Sequence, residues 1–201
     1  MKQHVLSQLP FPISPKQEEK LQQYVNLLLK WNKAFNLIGR STEDDIWQRH
    51  ILDAAQLAPL LGEAKTVLDV GCGAGLPSVV LAILGEAHIT ACERIQKKTD
   101  FIKEVRRNLS LEEKLTVLSQ DVRELKAQGK TFEIITARAV APLVELVDLT
   151  EGLLAVGGKY VFPKGAEVQQ ELIELSAKYN MTIERVSSIT SSTGEIILLR
   201  E

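Results

Sequence analysis

Apolar positions in the first third of the chain recur at helical spacing, and those that follow fall into short runs separated by helical stretches. Leu21, Tyr24, Val25, Leu28, Trp31, Asn32 and Phe35 mark one face of a long amphipathic helix ending near residue 36. Ser14 followed by Pro15 is a helix start, with the serine as N-cap and the proline at the first helical position. Pro10, Pro12 and Pro15 make residues 1–14 read as irregular. Residues 36–40 break the long helix, and Ser41 or Thr42 is expected to cap a second one through Ile46, Trp47, His50, Ile51 and Ala54. Pro59 and Gly62 close this helical part.

From residue 66 the pattern changes. Apolar runs at 66–70, 88–93, 115–118, 132–136 and 159–162 read as strands. Helical stretches at 76–84, 96–108, a short one ending near Gly129, one from Pro142 to about 155 and one to about Tyr179 alternate with them. Gly157-Gly158 reads as the turn into the fifth strand, and strands at 182–187 and 195–200 as a terminal hairpin-like pair. Strict β-α alternation predicts a mostly parallel seven-stranded sheet with helices on both faces and ligands at the carboxyl ends of the strands. Residues 1–62 are expected as a helical extension packed on an α/β body of residues 63–201.

The stretch Asp69-Val70-Gly71-Cys72-Gly73-Ala74-Gly75-Leu76-Pro77 joins the first strand to its helix. Three glycines at alternate positions let the backbone turn sharply and approach a ligand closely. Strand, glycine turn and helix start together make a cradle of the nucleotide type. The third glycine arrives one residue too early for the dinucleotide fingerprint, and Leu76 stands where that fingerprint wants glycine or alanine. No lysine lies in the loop, which excludes a P-loop. Asp-x-Gly-x-Gly-x-Gly resembles instead the first motif of Rossmann-like S-adenosylmethionine (AdoMet) methyltransferases.

Composition narrows the partners. The 201 residues carry 24 basic and 26 acidic side chains, so no global field advertises a polyanion and any RNA contact must be a local patch. Cys72 and Cys92 are too few for a disulfide framework and read as reduced thiols of a cytoplasmic protein. The start lacks the apolar segment of a secretory signal, and no apolar run is long enough to span a membrane.

Each strand end offers a candidate group. Glu93, 22 positions after Gly71, is placed to accept the two ribose hydroxyls of a nucleoside. Asp69 is expected to organise the loop amides and to face the ammonium of methionine. Asp121, with Val122 and Arg123, falls where the adenine ring is usually held, and Asp121 can also cap the following helix. Arg138, flanked by Ala137, Ala139 and Ala141, is expected to stand free toward the reaction cleft. Lys164-Gly165 ends the fifth strand and could hold a phosphate or a base. Arg40, Arg49 and His50 lie near Trp31, Phe35 and Trp47 in sequence, a mixture of cations and aromatics that can meet phosphate and stack bases. Lys103, Arg106 and Arg107 read as a solvated helix face.

Five strings carry a specific resemblance: Trp31-Asn32-Lys33-Ala34-Phe35-Asn36-Leu37-Ile38, Arg49-His50-Ile51-Leu52-Asp53, the 69–77 glycine stretch, Ala137-Arg138-Ala139-Val140-Ala141-Pro142-Leu143, and Lys164-Gly165. In this order they resemble the bacterial small-subunit ribosomal RNA methyltransferase G family, also called glucose-inhibited division protein B. The resemblance runs from about residue 20 to the end of the chain. It implies a class I methyltransferase fold and AdoMet-dependent methylation of guanine N7 in a decoding-region loop of 16S rRNA. Asp69, Gly73, Gly75, Glu93 and Asp121 are expected at the cofactor from their positions; the resemblance implies that Gly71 and Leu76 line it in the glycine turn and that Val122 and Arg123 meet its adenine end. Arg138 matches the arginine of the family's Ser-Arg-Ala motif, at the cofactor and the reaction centre. Cys72 replaces the family's usual Ser or Thr, Ala137 its usual Ser, and Asp121-Val122-Arg123-Glu124 its usual Arg-Ala-Glu-Glu.

Guanine N7 has an in-plane lone pair and no proton to lose, so methylation there asks for neither a general base nor a metal, only for alignment in a dry cleft. A monomer acting on the small ribosomal subunit or its precursor is expected. An AdoMet methyltransferase of small molecules or proteins, and a non-catalytic RNA- or AdoMet-binding module, remain as other readings. An NAD enzyme is disfavoured by Leu76.

Overall fold

A computed structural model describes residues 2–201. Its centre is a seven-stranded sheet in the order β3-β2-β1-β4-β5-β7-β6. The strands are β1 (Thr66–Val70), β2 (His88–Glu93), β3 (Leu115–Ser119), β4 (Phe132–Ala137), β5 (Leu154–Lys164), β6 (Thr182–Ser187) and β7 (Glu195–Arg200). β1 to β5 pair in parallel, and β7 runs antiparallel between β5 and β6. The helices are α1 (Lys2–Leu6), α2 (Pro15–Phe35), α3 (Asp53–Ala55), α4 (Ser78–Leu84), α5 (Gln96–Asn108), α6 (Arg123–Lys126), α7 (Leu143–Thr150) and α8 (Val168–Lys178).

Side chains alternate between the two faces of each strand, and the core divides accordingly. Val67, Ile89, Ile134, Val161 and Leu198 join the helical N-terminal layer, α4 and α5 in one cluster. Leu68, Val70, Ile135, Tyr160 and Phe162 join α7 and α8 in the other. The long α2 begins as expected: Ser14 and Gln17 cap each other reciprocally, with Pro15 in the first turn. From its middle, the buried Tyr24 hydroxyl donates to Ala74 O at 2.8 Å and ties the helical layer to the glycine loop.

Four local expectations are corrected. Residues 2–6 are helical rather than irregular, because Val5 and Leu6 are buried against the N-terminal layer. Ser41 and Thr42 do not cap the second helix; they sit in their own 3-10 turn (Arg40–Thr42), and that helix starts later, as a π-helical turn (Trp47–Leu52) running into α3. α7 stops at Thr150, and residues 154–158 belong to β5, where Leu154 pairs with Phe132. Gly157-Gly158 is therefore an irregularity inside a strand rather than a turn before it. A Cβ on Gly158 would lie 2.8 Å from Glu133 O, so the backbones approach there too closely for a side chain. The terminal hairpin is real, but its second strand takes the interior position. Ile196, Ile197, Leu198 and Leu199 are all buried, whereas β6 carries Glu184 and Arg185 at the open edge.

Candidate active site

The loop after β1 is fixed from behind and from the side. Gly71, Gly73 and Gly75 all have positive φ. A Cβ on Gly75 would come within 2.5 Å of Val79 Cγ2, so glycine is what lets α4 pack onto the turn. Asp69 is fully buried, and its Oδ2 accepts from both the backbone N–H (3.0 Å) and the hydroxyl of Ser78. It thus organises the start of α4 rather than the glycine amides. Among the described residues its Oδ1 has no partner. Burial raises the Asp69 pKa to about 7, against the opposing hydrogen bonds from Ser78 and the charge of Arg138. The loop amides are held instead by Glu93, whose Oε2 accepts Gly73 N at 3.1 Å and whose Oε1 accepts Ile95 N at 2.9 Å.

Beside this loop lies a cleft of about 440 Å³. Gly71, Glu93, Asp121, Val122 and Arg123, expected at the cofactor, line it together, joined by Ile95, Lys98, Ala139 and Val140. Ile95 and Val140 are 44% and 40% exposed, leaving apolar surface open to a flat ring. Each Glu93 oxygen makes one hydrogen bond and keeps a free lone pair, so the carboxylate can still accept from a diol. Asp121 accepts Arg123 N (3.0 Å) and Nε (2.9 Å), and Glu124 takes the Asp121 N–H in return at 3.2 Å. The Arg123 hydrogen bonds hold the Asp121 carboxyl well below the usual carboxylate range. Cys92 lies in the same wall; burial pushes its thiol up to about 12, which leaves it unreactive.

A second, larger cleft of about 950 Å³ opens on the other side of Ala139. Arg49, His50, Asp53, Arg138, Lys164 and the loop from residue 188 to 194 line it. Arg138 is not free, as its alanine neighbours suggested. Its Nη1 donates to Asp53 Oδ2 at 3.1 Å and to Arg49 O at 3.3 Å, and its Nη2 meets His50 Nδ1 at 3.3 Å. Since guanidinium only donates, Nδ1 is an acceptor and the proton of His50 is on Nε2, which donates to Thr42 Oγ1 at 2.7 Å; that hydroxyl passes its own proton to Gly39 O at 2.6 Å. Burial and the Arg138 charge lower the His50 pKa to about 4, so the ring stays neutral in the physiological range. Lys164 is also engaged, with Glu171 Oε2 at 2.6 Å and Ala141 O at 2.9 Å, and Glu171 takes Leu143 N at 2.8 Å. This pair supports the 138–142 loop from one side as Asp53 does from the other.

Several expected residues fall elsewhere. Asp69, Gly73, Gly75, Leu76 and Arg138 do not line the Glu93 cleft; Leu76 is buried in the core. Trp47 is buried and Trp31 packs on Phe101 and Phe35, so only Phe35 of the three aromatics is exposed, with Lys97 over its ring. Arg40 is exposed and lines neither cleft. Ile95, Val140 and Asp53 line the two clefts, and Gln56 holds the loop beside the second, without having been expected there. Asp53 and Gln56 follow Arg49 at helical spacing, which was the available signal for a shared polar stripe.

A family model described as "rRNA small subunit methyltransferase G" matches residues 17–198. A ribosomal RNA small subunit methyltransferase G of Paramagnetospirillum magneticum is 38% identical over 91% of this chain and 88% of its own length. One of Cereibacter sphaeroides is 38% identical over 100% of this chain and 97% of its own. Among solved structures, a methyltransferase from Geobacter sulfurreducens superposes with a TM-score of 0.64 at 12% identity, covering 95% of this chain and 91% of that one, which supports the fold alone.

Proposed function

Because the chain belongs to the rRNA small subunit methyltransferase G family, we propose that it uses AdoMet to methylate guanine N7 in 16S rRNA of the small ribosomal subunit or its precursor. One arrangement carries this reading: an acid-ended, apolar-walled cleft on the glycine loop and a larger polar cleft beyond it, holding Arg49 and Arg138, share a wall at Ala139.

AdoMet is an electrophilic methyl donor and brings the reactive carbon with it. The chain's residues then need only bind, align and exclude water. Glu93 accepts the ribose hydroxyls while keeping Gly73 and Ile95 in place. Gly71 forms the floor, Ile95 and Val140 give the adenine its apolar walls, and Asp121 to Arg123 close the adenine end. Asp69, Gly73, Gly75 and Leu76 act from behind by setting the turn. In the second cleft Arg138 offers its remaining donors to the base edge or a phosphate. His50 is neutral with both ring nitrogens engaged, so it shapes the wall and takes no proton, which suits a nucleophile that has none to give. Arg49 and Arg40 are the exposed cations left to meet the RNA backbone, while Lys164 holds the loop.

We read residues 1–62 as a helical extension of the 63–201 catalytic domain, and the protein as a metal-independent monomer acting in the cytoplasm. Among the described residues no helix is long and apolar enough to cross a membrane.

The test is transfer of labelled methyl from AdoMet to small-subunit particles and to naked rRNA. A single new borohydride/aniline-sensitive guanine is expected. Label in protein or in small metabolites, with none in RNA, overturns the reading. The same assay with a chelator and a sizing column tests metal independence and the monomer.

A further inference from the structure

Asp53 begins α3, one helical turn after Arg49, and its carboxylate is divided between two elements. Oδ2 holds Arg138 Nη1 at 3.1 Å. Oδ1 accepts the hydroxyl of Thr190 at 2.8 Å and Gln56 Nε2 at 3.0 Å. Thr190 lies in the loop joining β6 to β7, which walls the second cleft. Gln56 Oε1 accepts Ile189 N at 2.9 Å, so Asp53 and Gln56 between them fix that loop to the helical layer.

Asp53 is the acid paired with Arg138, whose other partners, Arg49 O and His50 Nδ1, are neutral. Both side chains are about one-fifth exposed, at 20% and 21%, so their attraction is only partly screened. The grip is end-on. Asp53 and Arg49 O take the two Nη1 hydrogens and His50 takes one of Nη2, which fixes the guanidinium plane and leaves the Nε hydrogen and one on Nη2 for a ligand.

We propose that Asp53 is a positioning residue for methyl transfer: by sharing its carboxylate between Arg138 and Thr190 it couples the seating of the 188–194 loop to the aim of the guanidinium. This rests on the reading that the second cleft receives the rRNA nucleotide. A nucleotide that presses the loop home draws Thr190 onto Oδ1 and holds Oδ2 against Arg138. A loop that lifts away removes the Thr190 donor, leaves Oδ1 to Gln56, and loosens the carboxylate that aims the guanidinium.

The experiment uses the full chain with Asp53→Asn, Thr190→Val, Thr190→Ser, the Asp53→Asn/Thr190→Val double variant and Arg138→Ala. It reads kcat and KM for rRNA methylation, AdoMet affinity by calorimetry, and Tm. Asp53→Asn should lower kcat about tenfold with AdoMet affinity unchanged within about twofold, because Asp53 does not line the Glu93 cleft. Thr190→Val should lower kcat about threefold, and Thr190→Ser, which keeps the hydroxyl, should restore it. The double variant should be no worse than Asp53→Asn alone, since both act through one carboxylate. Additive losses, wild-type kcat in a folded Asp53→Asn protein whose Arg138→Ala counterpart is impaired, or joint loss of AdoMet binding overturns the coupling. If Asp53→Asn fails to fold, Thr190→Val against Thr190→Ser decides alone. Wild-type turnover in Arg138→Ala instead overturns the reading beneath it, that the second cleft serves the reaction.

Discussion

Asp69 is buried with one oxygen unpartnered, and burial outweighs every group that favours its charge. The folded protein keeps a proton on it up to about pH 7, whereas the unfolded chain releases it near 3.8. Between those values the folded state binds more protons, so this residue's contribution to stability falls as pH rises from about 4 to 7 and is level above. Asp69→Asn removes the titration, and should raise unfolding stability by roughly 2–4 kcal/mol at pH 8 and by less at pH 5. Urea unfolding at the two pH values checks it; equal gains at both would show that Asp69 does not titrate in this window. Gly71 makes a sharper case for the cofactor. A Cβ there would lie 2.8 Å from Val140 Cγ2 on a backbone with φ of +62°, so Gly71→Ala should displace Val140 and weaken AdoMet at least about tenfold in a calorimetric titration. Glycines, acid and arginine were legible as residues because their types and strand-end positions declare them. What each one touches was not. Asp53 and Arg138 stand 85 positions apart, and nothing in the alanines around Arg138 reveals the carboxylate that fold topology brings to it.

At the scale of elements, α2 reaches the site through one hydroxyl. Tyr24→Phe leaves Ala74 O without its buried donor and should cost about 1–3 kcal/mol of stability. The same change should loosen the glycine loop and weaken AdoMet binding several-fold; loss of stability with unaltered affinity would confine Tyr24 to the core. Most elements could be read from the sequence because short apolar runs and helix-spaced stretches alternate cleanly after residue 66. The exceptions have physical causes. Leu154-Ala155-Val156 continues the apolar pattern of α7, but Leu154 finds Phe132 across the sheet, and pairing with a neighbouring strand decides the outcome. The turn at 40–42 carries good capping residues, yet Thr42 spends its hydroxyl between Gly39 O and His50. Strand order was not legible either; adjacency of β5 and β7 emerges only when β7's fully buried run is weighed against β6's charged one.

At the scale of the molecule, two clefts meet along one loop, and with a formal charge of −2 the proposed RNA contact falls to individual cations such as Arg40 and Arg49 rather than to a global field. The interior position of β7 has a consequence for the order in which the protein comes into being. A ribosome releases β1 to β5 first, and these can pair in sequence with their neighbours. β6 follows, but its native partner does not yet exist, and β5 keeps an open edge beside Tyr160 and Phe162 until residues 195–200 arrive. Nascent chains therefore pass through a stage with an unpaired apolar edge, a state prone to joining the wrong strand. A chain cut after Ser187 should be insoluble or readily proteolysed, and a soluble, protease-resistant fragment would mean that β6 can close β5 by itself. The same timing leaves the 188–194 wall of the second cleft unfinished until the strand beyond it has docked. If the second cleft serves the reaction as proposed, competence to modify a ribosome should come as one of the last events of synthesis, set by nothing more than the order of the strands.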